Sequence, residues 1–151
     1  NISNWQKLIG YIPQKVFVTD DSIRNNICFG LENNEIDDDL LKKVIKNSHL
    51  KDLIESEKEG AYKILGERGK NISQGQLQRI GIARALYKKP QILILDESTS
   101  ALDRVTEEQI LNEISSLKKE LTIILVSHDE NVLKICDDRF DLDKQVYKIS
   151  N

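Results

Sequence analysis

The chain has 151 residues, with 22 lysines and arginines against 25 aspartates and glutamates, a formal net charge of −3, and 39% hydrophobic content. That balance suits one globular domain with a buried core and excludes a disordered tail. The charges are interspersed rather than clustered, so no long-range field draws the chain to nucleic acid or anionic lipid, and no nucleic-acid partner is expected.

Lys7 to Ile12 is a compact apolar run stopped by Pro13, which predicts a short strand with Gln14 at its end. Asp20 or Asp21 can cap a short helix over Ile23 to Ile27, and Asp37 can cap a second one carrying Leu40, Leu41, Val44 and Ile45. A brief helix is expected from His49 to Glu55, then an irregular connection marked by Gly60, Gly66 and Gly69. Ser73 can cap a helix whose Leu77, Ile80, Ala83 and Leu86 recur at near-helical spacing until Pro90.

Gln91 to Leu95 is an unbroken apolar run, the pattern of a strand covered on both faces, and Asp96 and Glu97 follow at once. Asp103 can cap a helix with Ile110, Leu111, Ile114 and Leu117 on one side. Leu121 to Val126 predicts a second buried strand ending at Ser127 and His128. Strand, helix, strand implies a parallel unit with a right-handed crossover. A short helix around Asn131 to Cys136 and two edge strands, Arg139 to Leu142 and Gln145 to Ile149, turned by Asp143 and Lys144, complete the chain. The division is an α/β lobe from residues 1–19 and 90–151 with a helical lobe, residues 20–89, inserted into it.

Cys28 and Cys136 stand far apart in no metal-like spacing and read as small hydrophobes in a reducing compartment. The longest apolar runs fall well short of the roughly 20 residues that cross a bilayer. The chain contains no methionine, so Asn1 is not expected to be a natural start; a piece of a longer protein is the expected object.

In an open parallel sheet, ligands bind outside the carboxyl ends of the strands, where Gln14, Asp96, Glu97 and His128 all fall. Two carboxylates after an apolar strand suit Mg-nucleotide hydrolysis: Asp96 to hold Mg²⁺ and Glu97 to polarise the attacking water. Read alone, such carboxylates are often only helix caps. Ser73 and Gly75 open a helix whose N-terminus could receive phosphate, although an ordinary serine cap is the plainer reading. His128 could donate to a γ-phosphate. His49 has no partner motif and reads as structural.

The order of these segments resembles the ATP-binding domain of ABC transporters. Tyr11-Ile-Pro-Gln14 is similar to the Q-loop, Asn71-Ile-Ser-Gln-Gly-Gln76 to the signature sequence, Ile92-Leu-Ile-Leu-Asp-Glu97 to the Walker B strand, Ser98-Thr-Ser-Ala-Leu-Asp103 to the D-loop, and Ser127-His128 to the H-loop. Asp21 to Gly30 and Gly66-Glu-Arg-Gly69 further resemble exporter segments, the second an X-loop that makes Glu67 a candidate contact with a transmembrane domain. Gln74 stands where the family more often has glycine. No Gly-x-x-x-x-Gly-Lys-Ser/Thr phosphate-binding loop (Walker A) occurs in the 151 residues; in the family it lies upstream of the Q-loop.

The resemblance implies a partial P-loop NTPase (RecA-like) α/β lobe, with a mainly parallel sheet and an inserted α-helical signature subdomain. It also implies that the intact protein hydrolyses Mg-ATP between two head-to-tail domains, in a homodimer or heterodimer, to drive export. Glu97 and His128 would be catalytic; Gln14, Ser73, Gly75, Gln76 and His128 would contact ATP; Asp96 and Gln14 would serve Mg²⁺. Ser100 and Asp103 would lie at the dimer interface. The parent would carry a transmembrane domain, fused N-terminally, and work at the cytoplasmic face of the plasma (inner) membrane, while the 151 residues alone would be soluble and inactive. A soluble ABC-class ATPase and a non-hydrolysing degenerate module are the competing readings.

Overall fold

The computed structural model describes residues 2–141 and 146–149. A helix, α1 (Ile2–Leu8), leads into strand β1 (Ile9–Ile12). The strand is shorter than the apolar run predicts because Lys7 and Leu8 belong to the helix. Its ladder partner starts at Ile92, level with Ile9, and the Leu8 carbonyl accepts from the Gln91 N–H at 2.8 Å to set the register.

Helix α2 (Ile23–Ile27) is capped by Ser22, whose side chain accepts from the Asn25 N–H. The neighbouring Asp21, one of the two expected caps, instead accepts from the Ser22 N–H and the Asn25 side chain. Asp37 caps α3 (Asp38–Asn47) as its position predicts, accepting from the Leu40 N–H. His49 adopts a left-handed φ of 52° between α3 and α4 (Lys51–Ser56), so the second helix begins two residues later than expected.

Helix α5 (Gln74–Tyr87) starts at Ser73 with a capping box, Ser73 accepting from the Gln76 N–H while the Gln76 side chain accepts from the Ser73 N–H. It is buried nearly all round, from Leu77 through Ile80, Ile82 and Ala83 to Tyr87, as befits a helix wrapped by other elements. Contact with the segment after β1 is close: a Cβ on Gly81 would lie 2.5 Å from a Val16 methyl, so only glycine lets Val16 seat there.

Strand β2 (Ile92–Asp96) lies between β1 and β3 (Thr122–Val126), all parallel, with α6 (Arg104–Ser116) crossing from β2 to β3. Leu93 and Leu95 of β2 join Ile110 and Ile114 of α6 in the core, with Ile123 and Leu125 packed against it. β3 differs from the expected buried strand. Ile124 and Val126 are about half exposed, because no described element covers their face of the sheet. After α7 (Glu130–Leu133), capped by Asp129, strands β4 (Asp138–Asp141) and β5 (Val146–Ile149) pair antiparallel in a separate two-stranded sheet. The expected turn at Asp143 and Lys144 lies outside the described residues.

Cys28 is a free thiol inside the core, and burial pushes its pKa up, as expected of a cysteine used for packing. No helix of the described residues is long and apolar enough to cross a membrane.

Candidate nucleotide site

The parallel register puts the carboxyl ends of β1, β2 and β3 on one edge, with Ile12 level with Leu95 and Asp96 level with Val126. The loops leaving those ends deliver Gln14, Glu97 and His128 to one place. Gln14 Nε2 donates to Glu97 Oε2 at 2.6 Å, and His128 Nδ1 lies 3.2 Å from Glu97 Oε1. The side chain of His128 is 81% exposed and that of Glu97 only 32%, so the carboxylate is sheltered behind an imidazole that faces outward. His128 Nε2 makes no hydrogen bond among the described residues.

Glu97 holds an uncommon backbone conformation, with φ 45° in the left-handed region that disfavours a residue bearing Cβ. Several contacts enforce it. The Glu97 N–H donates to Val126 O at 3.0 Å, and the Glu97 carbonyl accepts from Ser100 Oγ at 2.9 Å and from the Ser100 N–H at 3.3 Å. Strain held this firmly aims a side chain, here toward Gln14 and His128. Beside it, a cavity of about 180 Å³ is lined by Glu97, Ser100, Leu102, Glu107, Ser127 and His128, among others. A larger open depression, about 460 Å³ near Asn25, Leu31 and Glu32, offers a single carboxylate and no histidine.

Asp96 ends β2 and accepts from the Tyr11 hydroxyl at 2.8 Å. That hydrogen bond raises the Tyr11 pKa, with burial and the carboxylate charge adding to it. Tyr11 has no role that its local sequence signals. Its contact with Asp96 spans 85 residues and follows from the β1–β2 register. Among the described residues no three acidic, histidine or cysteine side chains form a metal cage. Asp96 offers a carboxylate and Gln14 an amide oxygen, donor types that suit a Mg²⁺ whose other ligands are phosphate oxygens and water.

No hydrogen bond joins Ser73, Gly75 or Gln76 to this group among the described residues. The hydrogen bonds of Ser73 and Gln76 are those of their own capping box. Their nearest link to the strand ends is through the loop after Glu97: a Cβ on Gly75 would meet the Ala101 carbonyl oxygen and a Leu102 methyl, each at 3.4 Å. One turn further along α5, buried Gln78 accepts from the Ala101 N–H at 3.3 Å. Sequence reading missed Gln78, which carries no motif of its own there.

Asp103 caps α6, and hydrogen bonds from Thr106, with the Arg79 charge a lesser cause, hold its carboxyl below the usual value. Glu67 sits in an exposed single-turn helix, 3.8 Å from Lys70.

A family model described as "ABC transporter" matches residues 1–100. The "Putative export ATP-binding/permease protein" of Rickettsia conorii is 38% identical over 144 residues, 95% of this chain and 25% of that protein. The "ATP-dependent lipid A-core flippase" of Pseudoalteromonas translucida is 37% identical over 142 residues, 94% of this chain and 24% of the relative. Among solved structures, a bacterial Atm1-family ABC exporter with ATP bound superposes with a TM-score of 0.81 at 32% identity, covering 88% of this chain and 23% of that one. This chain therefore spans about a quarter of the length of these relatives. Matched in sequence along nearly its whole length and in fold to an exporter, the chain belongs to the ABC transporter family.

Proposed function

We propose that the chain is part of the ATP-hydrolysing domain of an ABC exporter, with a helical lobe of residues 20–89 inserted into an α/β lobe of residues 1–19 and 90–151. The observation that carries this reading is Glu97, clasped between Gln14 and His128 at the strand ends and adjacent to Asp96. Asp96 and Gln14 would hold Mg²⁺, which when bound neutralises charge on the phosphate oxygens. Glu97 accepts the proton of a water as its oxygen bonds to the γ-phosphorus and ADP departs. His128, through the ring nitrogen not engaged with Glu97, orients the γ-phosphate.

Ser73 and Gln76 bond only within their own capping box and not to that group, which suits a shared arrangement. This chain's signature helix would close on the nucleotide of a second ATP-binding domain, with Ser100 and Asp103 at the interface, while the partner's signature closes on this one. Glu67, exposed and paired at the surface with Lys70, would meet a transmembrane domain of the same parent, which would place the site at the cytoplasmic face of the membrane.

In the complete transporter, with Glu97→Gln to arrest turnover, ATP draws the two domains together, and adding Ser73→Arg abolishes that closure while ATP still binds. Inter-domain distance measurements by paired spin labels check this; closure unchanged by Ser73→Arg would remove Ser73 from the partner's nucleotide. The 151 residues alone lack the Gly-x-x-x-x-Gly-Lys-Ser/Thr loop, whose backbone and lysine are the main phosphate ligands in P-loop ATPases. They are accordingly expected to show negligible ATPase and very weak affinity for Mg-ATP. Tight saturable binding in a calorimetric titration would contradict that expectation.

A further inference from the structure

Within one chain, the first turn of α5 and the loop from Ser98 to Asp103 are built into each other. Gly75 and Gln78 are three residues apart and share a face of the helix. Gly75 brings that face against Ala101 and Leu102, and Gln78, 2% exposed, accepts from the Ala101 N–H across 23 residues of sequence. Ala101 follows Ser100, whose hydroxyl and N–H both donate to the carbonyl of Glu97. A continuous set of contacts therefore runs from the helix that begins at Ser73, through Gln78 and Ala101, to the backbone that holds Glu97 at φ 45°.

We propose that Gln78 is a positioning residue: its side-chain carbonyl pins the Ala101 amide to α5, so that the loop carrying Ser100 and Asp103 moves with the signature helix and keeps Glu97 aimed. The inference rests on the ATPase reading above, because it assigns Gln78 to the service of Glu97. Gln78 makes no hydrogen bond to Gln14, Asp96, Glu97 or His128 among the described residues. Its removal should therefore spare the binding of this domain's own nucleotide, which in the complete transporter falls chiefly to the phosphate-binding loop with Gln14, Asp96 and His128 beside it, and should act on turnover. A residue that merely filled the core would instead disturb both.

The test uses the complete transporter and Gln78→Leu, which keeps most of the bulk and removes the acceptor. The expected result is a fall in kcat of about tenfold or more, the scale of losing one enforced catalytic geometry, with KM for Mg-ATP within about threefold of the parent value. Turnover within twofold of the parent, or kcat and KM displaced together, would overturn the proposal. Amide hydrogen exchange supplies a second readout that does not depend on the variant folding. In the unmodified protein the Ala101 amide is expected to be protected, and in Gln78→Leu it should exchange freely while the middle of α5 stays protected. An unprotected Ala101 amide in the unmodified protein ends the proposal on its own. Glu97→Gln measured alongside separates the two readings. Normal turnover there would defeat the ATPase assignment, whereas the exchange result reports on the pin alone.

Discussion

Replacing Glu97 by glutamine in the complete transporter lowers steady-state ATP turnover about 10²–10⁴-fold, the range for losing a proton-transfer group, and leaves ATP binding measurable. Glutamine has the same shape, and the forces that set the backbone at this position come from Val126 O, Ser100 Oγ and the Ser100 N–H, none of which the change touches. Gln14 can still donate to the remaining side-chain oxygen from the 2.6 Å position. What disappears is basicity: an amide cannot take a proton from water in the transition state. The loss should therefore fall on kcat rather than on nucleotide affinity. Glu97→Asp, by contrast, keeps a carboxylate but withdraws it by one methylene from both Gln14 and His128. Near-normal turnover in Glu97→Gln would remove Glu97 from the role of base and leave the strand-end cluster as a structural clasp.

The site was legible from sequence to the extent that its parts follow from short-range rules. Asp37, Ser73 and Asp103 each cap a helix because a side-chain oxygen three residues before an orphan N–H is a local relation. The ends of β1, β2 and β3 were visible as apolar runs meeting polar residues, and parallel pairing then brought Gln14, Glu97 and His128 together. Where two neighbours could serve, the local rule did not choose: Ser22 rather than Asp21 caps α2, since Asp21 is occupied with the Ser22 N–H and the Asn25 amide. β3 reads as buried from its composition, yet Ile124 and Val126 are half exposed, because hydrophobicity alone does not say whether a partner layer is present. Tyr11, Gln78 and Arg84 were invisible for a different reason. Their partners lie 85, 23 and 58–67 residues away, and nothing in a local window signals such a distance.

Asn26 carries the second large expectation, a loss of about 3 kcal/mol of folding stability in Asn26→Ala, from several buried polar groups left unpaired together with the cavity that opens. Its side chain is completely buried, yet it is fully engaged. The two N–H groups of Asn26 Nδ2 are shared among the carbonyls of Ser22, Thr19 and Asp21, at 3.0, 3.2 and 3.3 Å, and Oδ1 accepts from the Thr19 N–H at 2.9 Å, from the Thr19 hydroxyl and from Arg84. Arg84 extends the network: Nε donates to Asn26 O at 2.7 Å and a terminal nitrogen to Phe17 O at 2.8 Å, while burial lowers its pKa and its guanidinium lies 5.4 Å from the centre of the Phe29 ring. One amide thus ties the loop that descends from Gln14 to α2 and, through Arg84, to α5. In a weakly polarisable interior such a network is stabilising only while every member is satisfied. Asn26→Asp distinguishes this account from simple loss of packing, because it preserves the shape and the acceptor but turns an oxygen toward three carbonyl oxygens. It should be at least as damaging as Asn26→Ala at neutral pH. Urea unfolding followed by circular dichroism measures both. If Asn26→Asp keeps the midpoint of the unmodified protein, the hydrogen bonds donated by the Asn26 amide contribute nothing, and the loop before α2 is held by Arg84 and apolar contact alone.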